Sequence, residues 1–573
     1  MVLNGKTAAP GAAVGRIYIY NEIYKLPVET FIPAGEEQSQ LDRYFKIKKQ
    51  AIDELEKIRL SMEKTDPVKA SIFDAQKEIA DDIIINEDIT GRILNDRWAV
   101  DWAVHHVYET VLGLLKKTQD TLIAERAADF DDVRALLLKL WYGHKIINLS
   151  DISEPVIIAA KAMMPSNTAG LDSEKILAIL TETGGVTSHT AVIAKSYGIP
   201  AVFGIDKLLN YAKQDQNAVV DADKGIVILD PSFDVISGYK NKCEILRLDR
   251  EDAKKYRHSE GRTSCGVKID IGLNISGVNK EELNASEYVD SVGVFRTEFI
   301  YMGRSSLPSE EDQFIIYKKA LQRLAERPVI LRTLDIGGDK KLLCMDLPHE
   351  DNPFLGNRAL RFCFSNPAIF KTQLRAALRA SVYGNLWLML PMVASIDDIR
   401  KAKEFISLVC NELNNEGVPY NKNFKTGIMI EIPSIALIAD IATKEVDFAS
   451  IGSNDLCQYL CAADRMNTTV ESYYQSYHPA MLSLIKSTVA AFDKAGKSIS
   501  ICGEIGSDPA AVPLLLGLGL RKLSMGAASV AAVKRAIASV TIKKANEIAC
   551  KALQMETAGE IEKLLSKKLK YNS

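Results

Sequence analysis

The period of the apolar positions changes several times along the chain, and the changes divide it. Residues 1–20 are rich in small side chains and end on the alternation Ile17-Tyr18-Ile19-Tyr20, which predicts one or two strands. From about Gln38 to Leu140 the spacing turns helical. Leu41, Phe45, Ile52, Leu55 and Ile58 recur on one face, then Ile72, Ile79 and Ile83. Trp98, Trp102, Val107, Val111, Leu114 and Leu115 form a further stripe, read as helix core. Short apolar runs of strand length return at 156–159, 176–180, 201–203, 218–221 and 226–229. This pattern predicts an α/β domain made of 1–20 plus 145–230, with a helical block, 21–144, inserted into it. Residues 231–260 are charged and helix-compatible, and are expected to act as a linker.

Beyond residue 260 the pattern becomes regular. Strand-like segments at 268–274, 292–297, 329–335, 386–391, 427–432, 448–454, 498–502 and 520–525 alternate with helical stretches. Eight βα units in a segment of this length (261–573) predict a (β/α)8 TIM barrel. The expected fold is therefore α/β and multidomain, ending in a barrel.

Composition narrows the function. Charged residues make up 25% of the 573 and the net charge is −3, which does not suit a nucleic-acid or membrane-surface protein. No apolar run reaches the roughly 20 residues of a membrane span, and the first residues lack a basic flank before an apolar core. All nine cysteines follow residue 240 without CxxC spacing, so neither disulfides nor a zinc site is expected, and a reducing cytoplasm is.

Two constellations carry candidate chemistry. The first is the rim of the barrel, where Asn274, Arg296, Arg332, Glu431, Asn454, Asp455 and Cys502 stand at or just past strand ends, with Arg465 nearby. Glu431 and Asp455 end adjacent strands and suit Mg²⁺. The arginines offer forked donors for phosphate and carboxylate, and Asn454 adds an amide. Cys502 is a candidate acid–base group. A small, doubly anionic phosphorylated acid is the natural guest. The second is Thr183-Gly-Gly-Val-Thr-Ser-His-Thr190, a glycine turn between a buried strand and a helix start. A positive helix end beside His189 disfavours imidazolium and can hold a phosphate on the ring. Taken alone, a histidine in such a place is more often one hydrogen-bonded beside a tight turn, and the rim of the barrel is what reverses that reading for His189.

The barrel carries Phe295-Arg-Thr-Glu-Phe299, Leu331-Arg-Thr-Leu-Asp-Ile-Gly-Gly-Asp-Lys340 and Asn352-Pro-Phe-Leu-Gly-Asn-Arg358. It continues with Gly427-Ile-Met-Ile-Glu-Ile-Pro433, Ile451-Gly-Ser-Asn-Asp-Leu456, Ala463-Asp-Arg465 and Cys502-Gly-Glu504. With the His189 motif, these resemble the enzyme I family of the bacterial phosphoenolpyruvate (PEP):sugar phosphotransferase system, within the PEP-utilising superfamily. The resemblance implies that His189 is phosphorylated, with Thr168 as a hydroxyl partner of its ring. It implies PEP binding by Arg296, Arg332, Asn454 and Arg465 with help from Arg358, Mg²⁺ on Glu431 and Asp455, and Cys502 as proton donor to the enolate. It also implies an HPr-type phosphocarrier docking on the helical block, and a homodimer formed through the barrel. The acidic helix around Asp74–Asp82 is the expected docking face. Val186 and Asn357 depart from the residues usual in the family, and Cys457 and Cys461 add thiols near Asp455. A PEP- and pyruvate-sensing phosphoprotein, or a dikinase-type fragment working with a separate ATP-binding chain, are the competing readings.

Overall fold

The computed structural model describes residues 1–20, 27–63, 67–117, 121–143, 152, 154–163, 175–183, 190, 194, 198–278, 280–302, 304, 306–338, 340, 342, 344–345, 347–467 and 469–569. Two compact units divide at residue 248: Met1–Leu248 and Asp249–Ser573.

The first unit holds a mixed eight-stranded sheet in the order β1-β8-β7-β3-β4-β5-β6-β2. Its strands are β1 (Val2–Asn4), β2 (Lys6–Ala9), β3 (Ala12–Tyr20), β4 (Val156–Ala160), β5 (Ile176–Thr181), β6 (Ala201–Phe203), β7 (Asn217–Asp221) and β8 (Ile226–Leu229). The first twenty residues thus make three strands where one or two are expected. Pro10 cannot donate to a ladder, and Gly11 takes a backbone angle of φ +132°, so the chain breaks between β2 and β3. Strands β3, β4, β5 and β6 pair in parallel, and β4 and β5 are apolar almost throughout because both faces are covered. Five helices follow β3: α1 (Glu37–Glu63), α2 (Pro67–Ala80), α3 (Ile83–Leu94), α4 (Val100–Lys117) and α5 (Thr121–Trp141). They pack around their own core, which includes Tyr44, Ile89, Ala103, Tyr108 and Leu138. The stretch expected as a linker is one helix, α6 (Phe233–Lys254).

The second unit is a closed parallel barrel of β9 (Asp270–Ile275), β10 (Ser291–Arg296), β11 (Pro328–Arg332), β12 (Asn385–Leu390), β13 (Lys425–Ile430), β14 (Phe448–Gly452), β15 (Ser498–Cys502) and β16 (Lys522–Met525). Successive side chains on a strand alternate between the helix layer and the barrel interior. The inward set includes Val294, Ile330, Trp387, Met389, Met429, Phe448 and Cys502. Bulk is balanced by absence: a Cβ on Gly427 would lie 2.6 Å from the Phe448 ring, and one on Gly293 would strike Ser524. Among the described residues no helix is long and apolar enough to cross a membrane.

Candidate active site

Continuing the inward alternation to the C-terminal end of each strand reaches the candidate residues. Val294 is followed by Arg296, Ile330 by Arg332, Met429 by Glu431, and Ser500 by Cys502. The barrel therefore places these candidate side chains at its mouth by the same period that packs its core. On β14 the corresponding place is Gly452, where a Cβ would sit 2.8 Å from a Glu431 carboxylate oxygen. The missing side chain makes room for that carboxylate. Just past it, helix α7 (Ser453–Cys461) presents Asn454 and Asp455 in its first turn.

A buried network joins these groups. Arg332 pairs with Glu298 and, at 3.1 Å, with Asp335. Lys340 reaches Glu298 at 2.9 Å and Asp335 at 2.7 Å. Arg358, 1% exposed, forks onto Asp335 at 2.9 Å and 3.1 Å and onto Asp455 at 3.0 Å. Arg465 meets the same Asp455 oxygen at 3.3 Å. Phe354 stands 5.9 Å from both guanidinium groups, and Tyr459 donates to the Phe354 carbonyl at 2.6 Å. Four predicted site residues, Arg332, Arg358, Asp455 and Arg465, are thus linked through Asp335. Asn454 accepts the Glu504 N–H at 2.9 Å on its carbonyl oxygen.

The electrostatics sort the acids. Burial raises Glu298, Asp335 and Asp455, but the adjacent cations outweigh it, chiefly Arg332 and Lys340 for Glu298 and Arg358 and Arg465 for Asp455. All three are held below the ordinary carboxylate range. Glu431 is the exception: burial, then the charges of Asp455 and Asp335, push it up to about 7. One Glu431 oxygen accepts the Met392 N–H at 2.6 Å, and the other is buried with no partner. A buried carboxylate oxygen without a donor, coupled to a second carboxylate, fits a divalent cation. Among the described residues no group of three or more His, Cys, Asp or Glu could hold a metal, so any cation here rests on this pair and on ligand or water oxygens. Cys502 donates to the Ile451 carbonyl at 3.4 Å. Burial raises its thiol, with Glu431 adding to the effect and Arg332 and Arg296 opposing it.

Glu298, Asp335 and Lys340 were given no role by sequence reasoning, although two of the quoted motifs contain them. A charged residue beyond a strand end reads as a solvated boundary, and only the fold shows Glu298 and Asp335 nearly inaccessible. His189 and Thr168 lie outside the described residues. Around the His189 motif, Thr183 N–H donates to the Lys161 carbonyl at 2.9 Å, and Thr190 Oγ1 donates to the Met163 carbonyl at 3.1 Å.

Comparison with known proteins agrees in order along the chain. The N-terminal domain of the PEP-utilising enzymes matches residues 4–126, their mobile domain 152–225 and their PEP-binding domain 250–542. A phosphoenolpyruvate-protein phosphotransferase of Staphylococcus carnosus is 41% identical over 513 residues, covering 89% of this chain and 90% of its own. Its counterpart in Staphylococcus epidermidis is 38% identical over 566 residues, covering 99% of each, and that of Mycoplasma capricolum is 37% identical over 564, covering 98% of each. A solution structure of enzyme I shares 32% identity with 43% of this chain and 99% of its own, at a TM-score of 0.38. Enzymes of the PEP-utilising family use metal ions. With all three domains of the family in order and relatives of this identity over nearly the whole length, the chain belongs to the phosphoenolpyruvate-protein phosphotransferases of the PEP-utilising enzyme family.

Proposed function

We propose that this protein takes the phosphoryl group of PEP onto His189, releases pyruvate, and passes the group to a histidine of a small HPr-type phosphocarrier in the cytoplasm. The observation that carries this reading is the buried chain Arg332–Asp335–Arg358–Asp455–Arg465, with the unpartnered Glu431 oxygen beside it. The acids hold guanidinium groups in fixed positions, and a dianionic guest gains from preorganised charge that costs no rearrangement.

The chain's residues divide the work. Arg296, Arg332 and Arg465 take the phosphate and carboxylate of PEP, with Arg358 behind them and the Asn454 amide orienting the guest. Glu431 and Asp455 would hold Mg²⁺, which when bound supplies positive charge to the phosphate and enolate oxygens. The bond from phosphorus to the enol oxygen breaks as one forms to the His189 ring nitrogen. The enolate then takes the Cys502 proton at its methylene carbon and leaves as pyruvate, which makes the step favourable. Thr168 steadies the His189 ring in this reading. Residues 1–20 and 145–230 act as the phosphohistidine domain, 21–144 as the carrier's docking domain, 231–260 as the linker and 261–573 as the PEP-binding barrel, through which the protein pairs as a homodimer.

The test is labelling with [³²P]PEP and Mg²⁺. One acid-labile, base-stable phosphoryl group is expected per chain, absent in His189→Ala, and chased off by a purified carrier. Comparable labelling of the Ala variant would reject the assignment.

A further inference from the structure

Cys502 gives up its proton on the mouth side of the barrel, where bound substrate and its ion cluster stand. The thiolate must regain that proton before the next turnover. The structure offers a way in from the opposite end.

At the N-terminal end of the barrel lies a cavity of about 290 Å³ walled by Ile330, Trp387 and Phe448. Ion pairs frame it: Lys268 with Asp270 at 3.4 Å and Asp290 at 3.1 Å, and Lys522 with Asp270 at 3.3 Å. That volume accommodates several waters at about 30 Å³ each. Ser498, Ser500 and Ser524 also line it. Ser500 is one inward step below Cys502 on β15, a rise of about 6.6 Å, which one bridging water spans. On β14, Ser450 pairs in register with Ser500, as Gly452 does with Cys502. Ser450 lies near enough to Cys502 for its hydroxyl to favour the thiolate. Yet the Ser450 and Ser500 hydroxyls are both buried, 0% and 7% exposed by residue, and neither has a partner meeting hydrogen-bond geometry. An orphaned buried hydroxyl costs about 1–3 kcal/mol. Two of them, stacked between a water-sized cavity and a thiol in an otherwise apolar interior, call for a purpose. Ser524 differs, since its hydroxyl is satisfied by Asn274 at 2.5 Å.

We propose that Ser500 and Ser450, with waters entering from the cavity at the N-terminal end of the barrel, form a proton-return path to Cys502. The step balances simply. The thiolate takes a proton from the adjacent hydroxyl or water, that group takes one from the next, and bulk water at the cavity supplies the last. Ser500 and Ser450 touch no substrate and act through Cys502. The proposal rests on Cys502 as the proton donor.

The experiment compares two exchanges in the full-length protein with PEP, [¹⁴C]pyruvate and Mg²⁺ in D₂O. Carbon exchange between PEP and pyruvate runs by phosphoryl transfer to His189 and back to the enolate oxygen, and of protons it needs only that one shuttle between Cys502 and the substrate carbon. Deuterium uptake at that carbon needs Cys502 to exchange with solvent. Wild type should take up deuterium in step with carbon exchange. In Ser500→Val and in Ser450→Ala the ratio of deuterium uptake to carbon exchange should fall by about tenfold or more, and Ser500→Thr, which keeps the hydroxyl, should restore it. Carbon exchange itself reports that each variant is folded, and if Ser500→Val is not, Ser500→Ala takes its place. A wild-type ratio in the Ser450 and Ser500 variants overturns the path. Cys502→Ala separates the two ideas. If it loses carbon exchange while the serine variants keep the wild-type ratio, only the path fails. If it sustains both exchanges at the wild-type rate, Cys502 is not the donor and the path fails with it.

Discussion

Met392 donates its backbone N–H to Glu431 at 2.6 Å from a left-handed conformation, φ +52°, that a residue with a side chain rarely adopts. That strained turn fixes one carboxylate oxygen of the proposed metal pair and leaves the other free. Strain held at such a place is consistent with preorganisation of the site.

A pH dependence follows. Without metal, Glu431 titrates at about 7, against an ordinary value of 4.5. The folded state therefore binds a proton that the unfolded chain has released, and stability from this group is full below pH 4.5 and lost as pH rises through 7. The loss amounts to roughly 3 kcal/mol. Metal-free protein should unfold at a lower temperature at pH 8 than at pH 6 for this reason, and Mg²⁺ should restore more at pH 8. Glu431→Gln should flatten both trends. Calorimetry showing the same Mg²⁺-induced rise in the Gln variant would rule out Glu431 as its ligand.

Arg358 is a scaffold residue of the proposed PEP site. Its guanidinium is buried against Asp335 and Asp455, so removing it strands two carboxylates. Arg358→Leu should destabilise the barrel by about 3–5 kcal/mol, and Arg358→Lys should rescue little because an ammonium cannot fork across both acids. The fluorescence of Trp387, the one tryptophan in 249–573, can follow urea unfolding of this unit. A loss below about 1 kcal/mol, the range of an exposed pair, would contradict the buried network.

Gly503 places Asn454. Its φ is +99°, and a Cβ there would lie 2.2 Å from Ser453 Oγ and 2.7 Å from Asn454 Oδ1. Gly503→Ala should therefore displace the amide assigned to PEP and add backbone strain of about 1–3 kcal/mol. The expected signature is a raised KM for PEP, with phosphate passing from already labelled protein to the carrier at the usual rate. An unchanged KM would remove Asn454 from the binding set.

The barrel and its rim were readable in the chain because parallel strands buried on both faces are continuous apolar runs, and a polar residue ending such a run stands out. Arg296, Arg332, Glu431 and Cys502 stand out that way as candidates. Glu298, Asp335 and Lys340 were not, because their role is to hold other charges, and no periodicity distinguishes a buried counter-ion from a solvated one. The turn at Met392 was equally invisible, since a left-handed methionine carries no compositional mark. The break at Pro10-Gly11 was visible in principle, but the small residues around it hide the alternation of β1 and β2.

Two acids of the run expected to dock the carrier, Asp74 and Asp81, are paired with lysines within the helical block. Asp74 pairs with Lys77 at 3.1 Å, Asp81 pairs with Lys48 at 2.8 Å, and the Asp82 carboxylate caps α3 by accepting the Ile85 N–H. Charge reversal at Asp82 would therefore damage a helix end as well as any docking face, at about 1 kcal/mol for a lost cap. The more informative feature is beside it. Ile83 and Ile84 open α3 with 71% and 77% of their surfaces exposed, an apolar pair set in acidic surroundings. Such a pair suits the buried centre of a small interface, with the acids as its rim. Ile83→Ser with Ile84→Ser should leave the fold and PEP-driven labelling intact, since neither side chain is packed, and slow transfer to the carrier by about tenfold or more, the cost of losing one modest hot spot. High salt should slow transfer by a separate route, through encounter rate at the acidic rim. Transfer at the wild-type rate in the double variant, measured by rapid quench at sub-saturating carrier, would move the docking surface elsewhere.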